Sequence, residues 1–100
     1  MSFFSKSFSK GTIIESEQCI HIKTGKIIGN HKGVVHEKKG NWTIFSIFST
    51  SEKQNNSPLD MSRFSNDFGK NLKSDTKISE PVFMNKTKLL KKVQGGGKYE

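Results

Sequence analysis

The sequence predicts a small α+β protein: a short antiparallel β-meander over about residues 12–49, one short helix over about 58–69, and extended N- and C-terminal arms. Three observations carry that prediction. Between residues 12 and 49 Ile and Val dominate and turn dipeptides recur at hairpin spacing, the pattern of short antiparallel strands. Residues 57–72 join a helix-start signature to an apolar stripe at helical spacing. Outside these segments neither the strand period nor the helix period is sustained. The chain therefore divides into a Ser/Phe/Lys arm over 1–11, the meander plus helix over 12–72, and a linker with a lysine-rich arm over 73–100.

The first arm carries Phe3, Phe4 and Phe8 with Lys6 and Lys10, and no acid precedes Glu15. That composition suits an organelle-targeting segment, an aromatic arm packed on a partner, or a frayed end. In the meander, a Thr24-Gly25 turn sets Ile22 opposite Ile27, and a turn at Lys39-Gly40 sets Val35 opposite Ile44. Side chains alternate along a strand, so Trp42, Ile44 and Phe48 share one face while Phe45 and Ile47 take the other. Both faces are apolar. A free-standing meander leaves one of them wet, so the strand must be covered twice, and a partner protein is the expected second cover.

Ser57-Pro58-Leu59-Asp60 reads as an N-cap, a first-turn proline and an acid at the third position. Met61, Phe64, Phe68 and Leu72 follow at steps of three, four and four, with Gly69 a candidate early stop. The stripe packs either on the meander or into a partner's groove. Residues 73–81 have no period and end at Pro81, so they read as a linker. Beyond it Leu89, Leu90 and Val93 are candidate anchors of a short basic segment tethered by Gly95 to Gly97.

Composition narrows function. One hundred residues with 31% apolar content allow one small domain with little surplus of burial over chain entropy, so part of the chain is expected to be ordered by a partner. The formal net charge is +8: residues 1–14 carry +2, 15–50 carry +2, 51–85 carry zero and 86–100 carry +4. Sixteen of the seventeen basic residues are Lys, and Arg63 is the exception. Lysine is a hydrated point charge rather than a bidentate fork, which favours electrostatic docking over sequence-specific reading of bases. Lys86, Lys88, Lys91, Lys92 and Lys98 form the expected anion-contacting tail, opposed only by Glu100.

Cys19 is the single cysteine, which rules out an intramolecular disulfide and with it a disulfide-stapled secreted scaffold. With no secretory or membrane-spanning pattern, an intracellular protein is expected, cytoplasmic or within an organelle. The Asn-x-Ser/Thr matches at Asn41, Asn55 and Asn85 are then chance. Cys19, His21, His31 and His36 are chemically able to complete a zinc tetrahedron, but no tight Cys-x-x-Cys knuckle is present, and ordinary surface or interface histidines are the preferred reading. A Cys19 nucleophile needs a pocket, an oxyanion donor and an orienting group that so small a chain is not expected to build. Glu15 and Glu17 read as a solvated strand edge, and Gly95-Gly96-Gly97-Lys98 lacks the spacing and following helix of a phosphate-binding loop. No catalytic, metal or cofactor site is expected.

The function expected is that of a small basic, non-catalytic subunit docking on an acidic surface of a larger protein or ribonucleoprotein assembly. Its contact residues are expected to be Trp42, Ile44, Phe45, Ile47, Phe48, Phe64, Phe68 and the tail lysines. The alternatives are a nucleic-acid-binding module with Lys86 to Lys98 tracking phosphates, and a small inhibitor of one partner.

Overall fold

The computed structural model describes residues 7–52 and 56–100; the expectations for Phe3, Phe4 and Lys6 lie outside them. The chain is a small, mostly β domain with a curled antiparallel sheet. Its strands are β1 (Ile13–Ser16), β2 (Cys19–His21), β3 (Ile27–Ile28), β4 (His31–Lys39), β5 (Trp42–Ser49), β6 (Ser57–Pro58), β7 (Lys77–Ile78), β8 (Phe83–Lys86) and β9 (Lys91–Lys92). The main path runs β3-β2-β8-β5-β4-β1-β9, with β7 on β5 and β6 on β7.

Two hairpins of the expected meander form, β2–β3 and β4–β5, but β1 pairs with β4 and β9 rather than with β2. In β2–β3 the partner of Ile27 is Ile20, not Ile22, because the turn is longer than two residues: the Gly25 N–H donates to His21 O and the His21 N–H to Lys26 O. A shift of two keeps every side chain on its face. In β4–β5 the turn is Gly40-Asn41, with Gly40 at φ +58 and Lys39 opposite Trp42. A bulge at His36 then puts Val35 opposite Phe45 and Glu37 opposite Ile44.

β5 organises the sheet. Along one edge it pairs with β4; along the other its first half pairs with β8 and its last two residues with β7. Ser79 stitches the jog between them, since its N–H donates to Ile47 O at 3.0 Å and its Oγ accepts the Ile47 N–H at 2.9 Å. No polar backbone group of Ile47 is therefore left unpaired where the partner strand changes.

Strand alternation sorts the apolar residues into two layers. On the inner face Ile14, Cys19, Val35, Phe45, Ile47, Phe83 and Leu90 form one buried cluster, with Phe8, Ile28 and Val82 at its margin. On the outer face Ile13, Val34 and Phe48 pack under Phe64 and Tyr99, with Phe68 and Leu72 beside them. The pairs Ile13/Ile14, Val34/Val35 and Ile47/Phe48 each split between the layers, as period two requires. The sheet curls so that β8 meets β1 across the inside: the buried Asn85 donates from Nδ2 to Ser16 Oγ at 2.9 Å and to Gln18 O at 3.0 Å.

The expected helix does not form. Asp60 accepts the Ser62 N–H and starts a single 3-10 turn, Met61–Arg63; Asn66 accepts the Phe68 N–H and starts another, Asp67–Asn71. Side-chain caps six residues apart compete with a continuous i to i−4 ladder, and the extended Phe64 lies between the turns. Phe64, Phe68 and Leu72 nevertheless pack on the sheet as a stripe, while Met61 is exposed.

The C-terminal segment also differs from an extended arm. Residues 77–100 supply β7, β8 and β9, Leu90 is fully buried, and Tyr99 pairs through its N–H with Gly11 O and bridges Phe64. The Cα radius of gyration, 13.0 Å, matches the value of about 13 Å for a compact chain of this length. At the other end Phe8 reaches the inner cluster and the Gly11 N–H donates to Val35 O, so residues 8–11 belong to the domain. No helix among the described residues is long and apolar enough to cross a membrane.

A candidate docking interface

The covering segment 59–72 and Tyr99 shield the outer face only over Ile13, Val34 and Phe48. Directly opposed residues on neighbouring strands share a face, so the register continues that face across the rest of the sheet. One row runs Glu37, Ile44, Met84, Ile20 and Ile27 across β4, β5, β8, β2 and β3. The next runs Lys39, Trp42 and Lys86 across β4, β5 and β8. Trp42, Ile44, Met84 and Ile20 are half-buried, Ile27 is 57% exposed, and Ile22 beyond Ile20 is 41% exposed. An apolar band thus lies open on the outer face, bounded by lysines on either side of Trp42. The one acid in these rows, Glu37, is bridged by Lys39 at 3.7 Å. That bridge is exposed and contributes at most about 1 kcal/mol.

Of the expected contact residues, Trp42, Ile44 and Lys86 come together on this band. Phe45 and Ile47 lie in the inner cluster, Phe48 is buried under the cap formed by segment 59–72 and Tyr99, and Phe64 and Phe68 belong to that cap, buried and half-buried against the sheet, so their apolar surface is used within the chain. The other lysines are elsewhere. Lys91 and Lys92 sit on β9 opposite Glu15 and Ile14, Lys88 is exposed in the turn Thr87–Leu89, and Lys98 bridges Thr12 with its N–H on Ser65 Oγ. Sequence reasoning missed Ile20, Ile27 and Met84. Ile20 and Ile27 were legible as strand residues, but their place beside Ile44 depends on β8 entering between β2 and β5, a pairing more than sixty residues distant from β2.

Cys19, His21, His31 and His36 stand apart: no three His, Cys, Asp or Glu side chains among the described residues gather as metal ligands. The His21 ring meets Phe83 edge-on at 5.4 Å, His31 Nδ1 lies 2.9 Å from Gly29 O, and His36 is the bulge residue. Burial pushes the Cys19 thiol up to about 11, outweighing the opposing hydrogen bonds of Ser16 and His31. A raised folded pKa makes the thiol a source of stability below the unfolded value of 9.0 that is lost as pH rises toward about 11. Cys19→Ala should therefore show a shallower fall in stability between pH 9 and pH 11 than the unmodified chain, read by urea midpoints across that range. Equal slopes would show that the thiol is not protected by burial.

Gly95 and Gly97, at φ +70 and +64, turn the chain after Val93 so that Lys98 reaches β1; no helix follows them. Comparison with protein-family models, with curated proteins and with solved structures finds no match to this chain.

Proposed function

We propose that this chain is a small basic, non-catalytic interaction subunit that docks through its open outer face onto an acidic-rimmed surface of a larger protein assembly. The observation that carries the proposal is the half-covered outer face of β5. The chain caps Phe48 with its own residues and leaves Ile44 and Trp42 in a band of Ile and Met. A contiguous apolar band on a small domain is the mark of a protein contact, and burying Trp and Met supplies the anchors such contacts favour. Charge selects the partner: Lys39 and Lys86 flank the band and the chain carries +8, so two copies face to face bring like charges together while an acidic rim complements them. Trp42 between two lysines also has the makings of a base-stacking platform, the second reading. The aliphatic row beside it favours protein.

The test is a photo-crosslinking residue at position 84, with position 30 as control, in cells that make the protein. The captured protein is then purified and recombined with the chain. Met84→Glu should weaken that binding about tenfold or more while leaving the melting temperature within a few degrees, and added salt should weaken binding to the unmodified chain. Undiminished binding by Met84→Glu, or tight binding of single-stranded RNA that Trp42→Ala abolishes, would overturn the docking reading.

A further inference from the structure

Between the cap and the open band lies a cleft of about 550 Å³, within the roughly 300–1,000 Å³ of small-ligand sites. Val34, Ile78 and Tyr99 give it apolar walls, and Lys10, Arg63 and His36 bring basic side chains to it. We infer that this cleft binds a carboxylate carried on an apolar body.

Three features point there. Ser46 lines the cleft from the outer face of β5 and brings a hydroxyl to it. A hydroxyl can donate to a carboxylate oxygen. Arg63, the one arginine, has its backbone anchored at both ends, the backbone N–H donating to Asp60 O at 3.0 Å and the carbonyl accepting the Glu100 N–H at 2.9 Å, and its guanidinium lies 5.6 Å from the centre of the Tyr99 ring. A planar guanidinium positioned in this way takes a carboxylate through two parallel hydrogen bonds. The cationic side chains of Lys10 and Arg63 outnumber the one carboxylate side chain in the lining, Glu100, which favours an anionic group. The apolar walls accept the rest of the molecule.

The same chemistry has two sources, a free organic acid or the carboxylate at the end of a protein chain. The inference does not depend on the docking reading, although Ser46 lies two residues from Ile44 on the same face. It is tested by amide and side-chain NMR titration with benzoate, with benzyl alcohol as the neutral counterpart, and with acetyl-Ala-Leu-Phe as acid and as amide. The acids should shift resonances of Ser46, Arg63 and Tyr99 saturably and the neutral counterparts should not; whichever acid binds more tightly identifies the source. Arg63→Gln should weaken binding about tenfold, Lys10→Gln and Ser46→Ala a few-fold, and Lys91→Gln, remote from the cleft, should not change it. Absence of saturable shifts with both acids, or full affinity in Arg63→Gln with an otherwise unchanged spectrum, would overturn the inference.

Discussion

Tyr99→Ala is expected to lower the stability of the domain by about 3–5 kcal/mol, the cost of emptying a large aromatic site in a packed core. Tyr99 is 6% exposed, its ring meets Phe64 at 4.8 Å and Phe48 at 6.0 Å, and its hydroxyl accepts the Asp60 N–H at 3.2 Å. It locks the cap to the sheet from the far end of the chain. Domains of this kind have only about 5–15 kcal/mol to lose, so the variant should unfold at a much lower urea concentration. Tyr99→Phe keeps the ring and gives up one hydrogen bond, about 1 kcal/mol. If Tyr99→Ala unfolded at the midpoint of the unmodified chain, the C-terminal segment would be an arm after all.

A second large loss is expected from a single methyl group. A Cβ on Gly33 would land on the carbonyl oxygen of Ser46, with the Ser46 carbonyl carbon and Ile47 Cα also at 3.1 and 3.2 Å. All three are backbone of the neighbouring strand, so nothing flexible can swing aside and β4 must move away from β5. Overpacking of that kind costs about 1–3 kcal/mol and more where backbone has to shift. Gly33→Ala should fall at or above the top of that range. Gly29→Ala is the control, since a Cβ there meets nothing within 4 Å, and it should stay within about 0.5 kcal/mol of the unmodified chain. Equal stability of the two variants, compared by urea unfolding, would contradict the β4–β5 register.

What was legible in the sequence was local. The β4–β5 hairpin announces itself through its turn glycine and its run of β-branched and aromatic residues, and the two-faced character of β5 follows from alternation alone. The register between Val35 and Ile44 was not legible, because nothing in the residues around His36 distinguishes a bulge from a regular strand. The helix expectation rested on the stripe Met61, Phe64, Phe68 and Leu72. Two capped 3-10 turns place Phe64, Phe68 and Leu72 on one surface as well as a helix would, and the competing signal was the pair of cap formers, Asp60 and Asn66. The tail reads as an arm because its strands are only two to four residues long and its lysines outnumber its anchors. Leu90 and Tyr99 find their sites only through pairings with β1 and the cap, which no local pattern encodes. The same distance hid the docking band: Trp42 and Ile44 were identified from β5, whereas Met84 and Ile20 join them only when β8 inserts.

The central claim is that the outer face at Trp42 is open in the isolated chain and is the part a partner covers. Trp42 is the only tryptophan, so its fluorescence reports on that face alone. With Lys39 and Lys86 on either side, iodide should quench it more strongly than caesium, the preference should fade as salt is added, and quenching by acrylamide should drop once the partner is bound. Emission that resists both ions in the isolated chain, or quenching unchanged by the partner, would contradict the account.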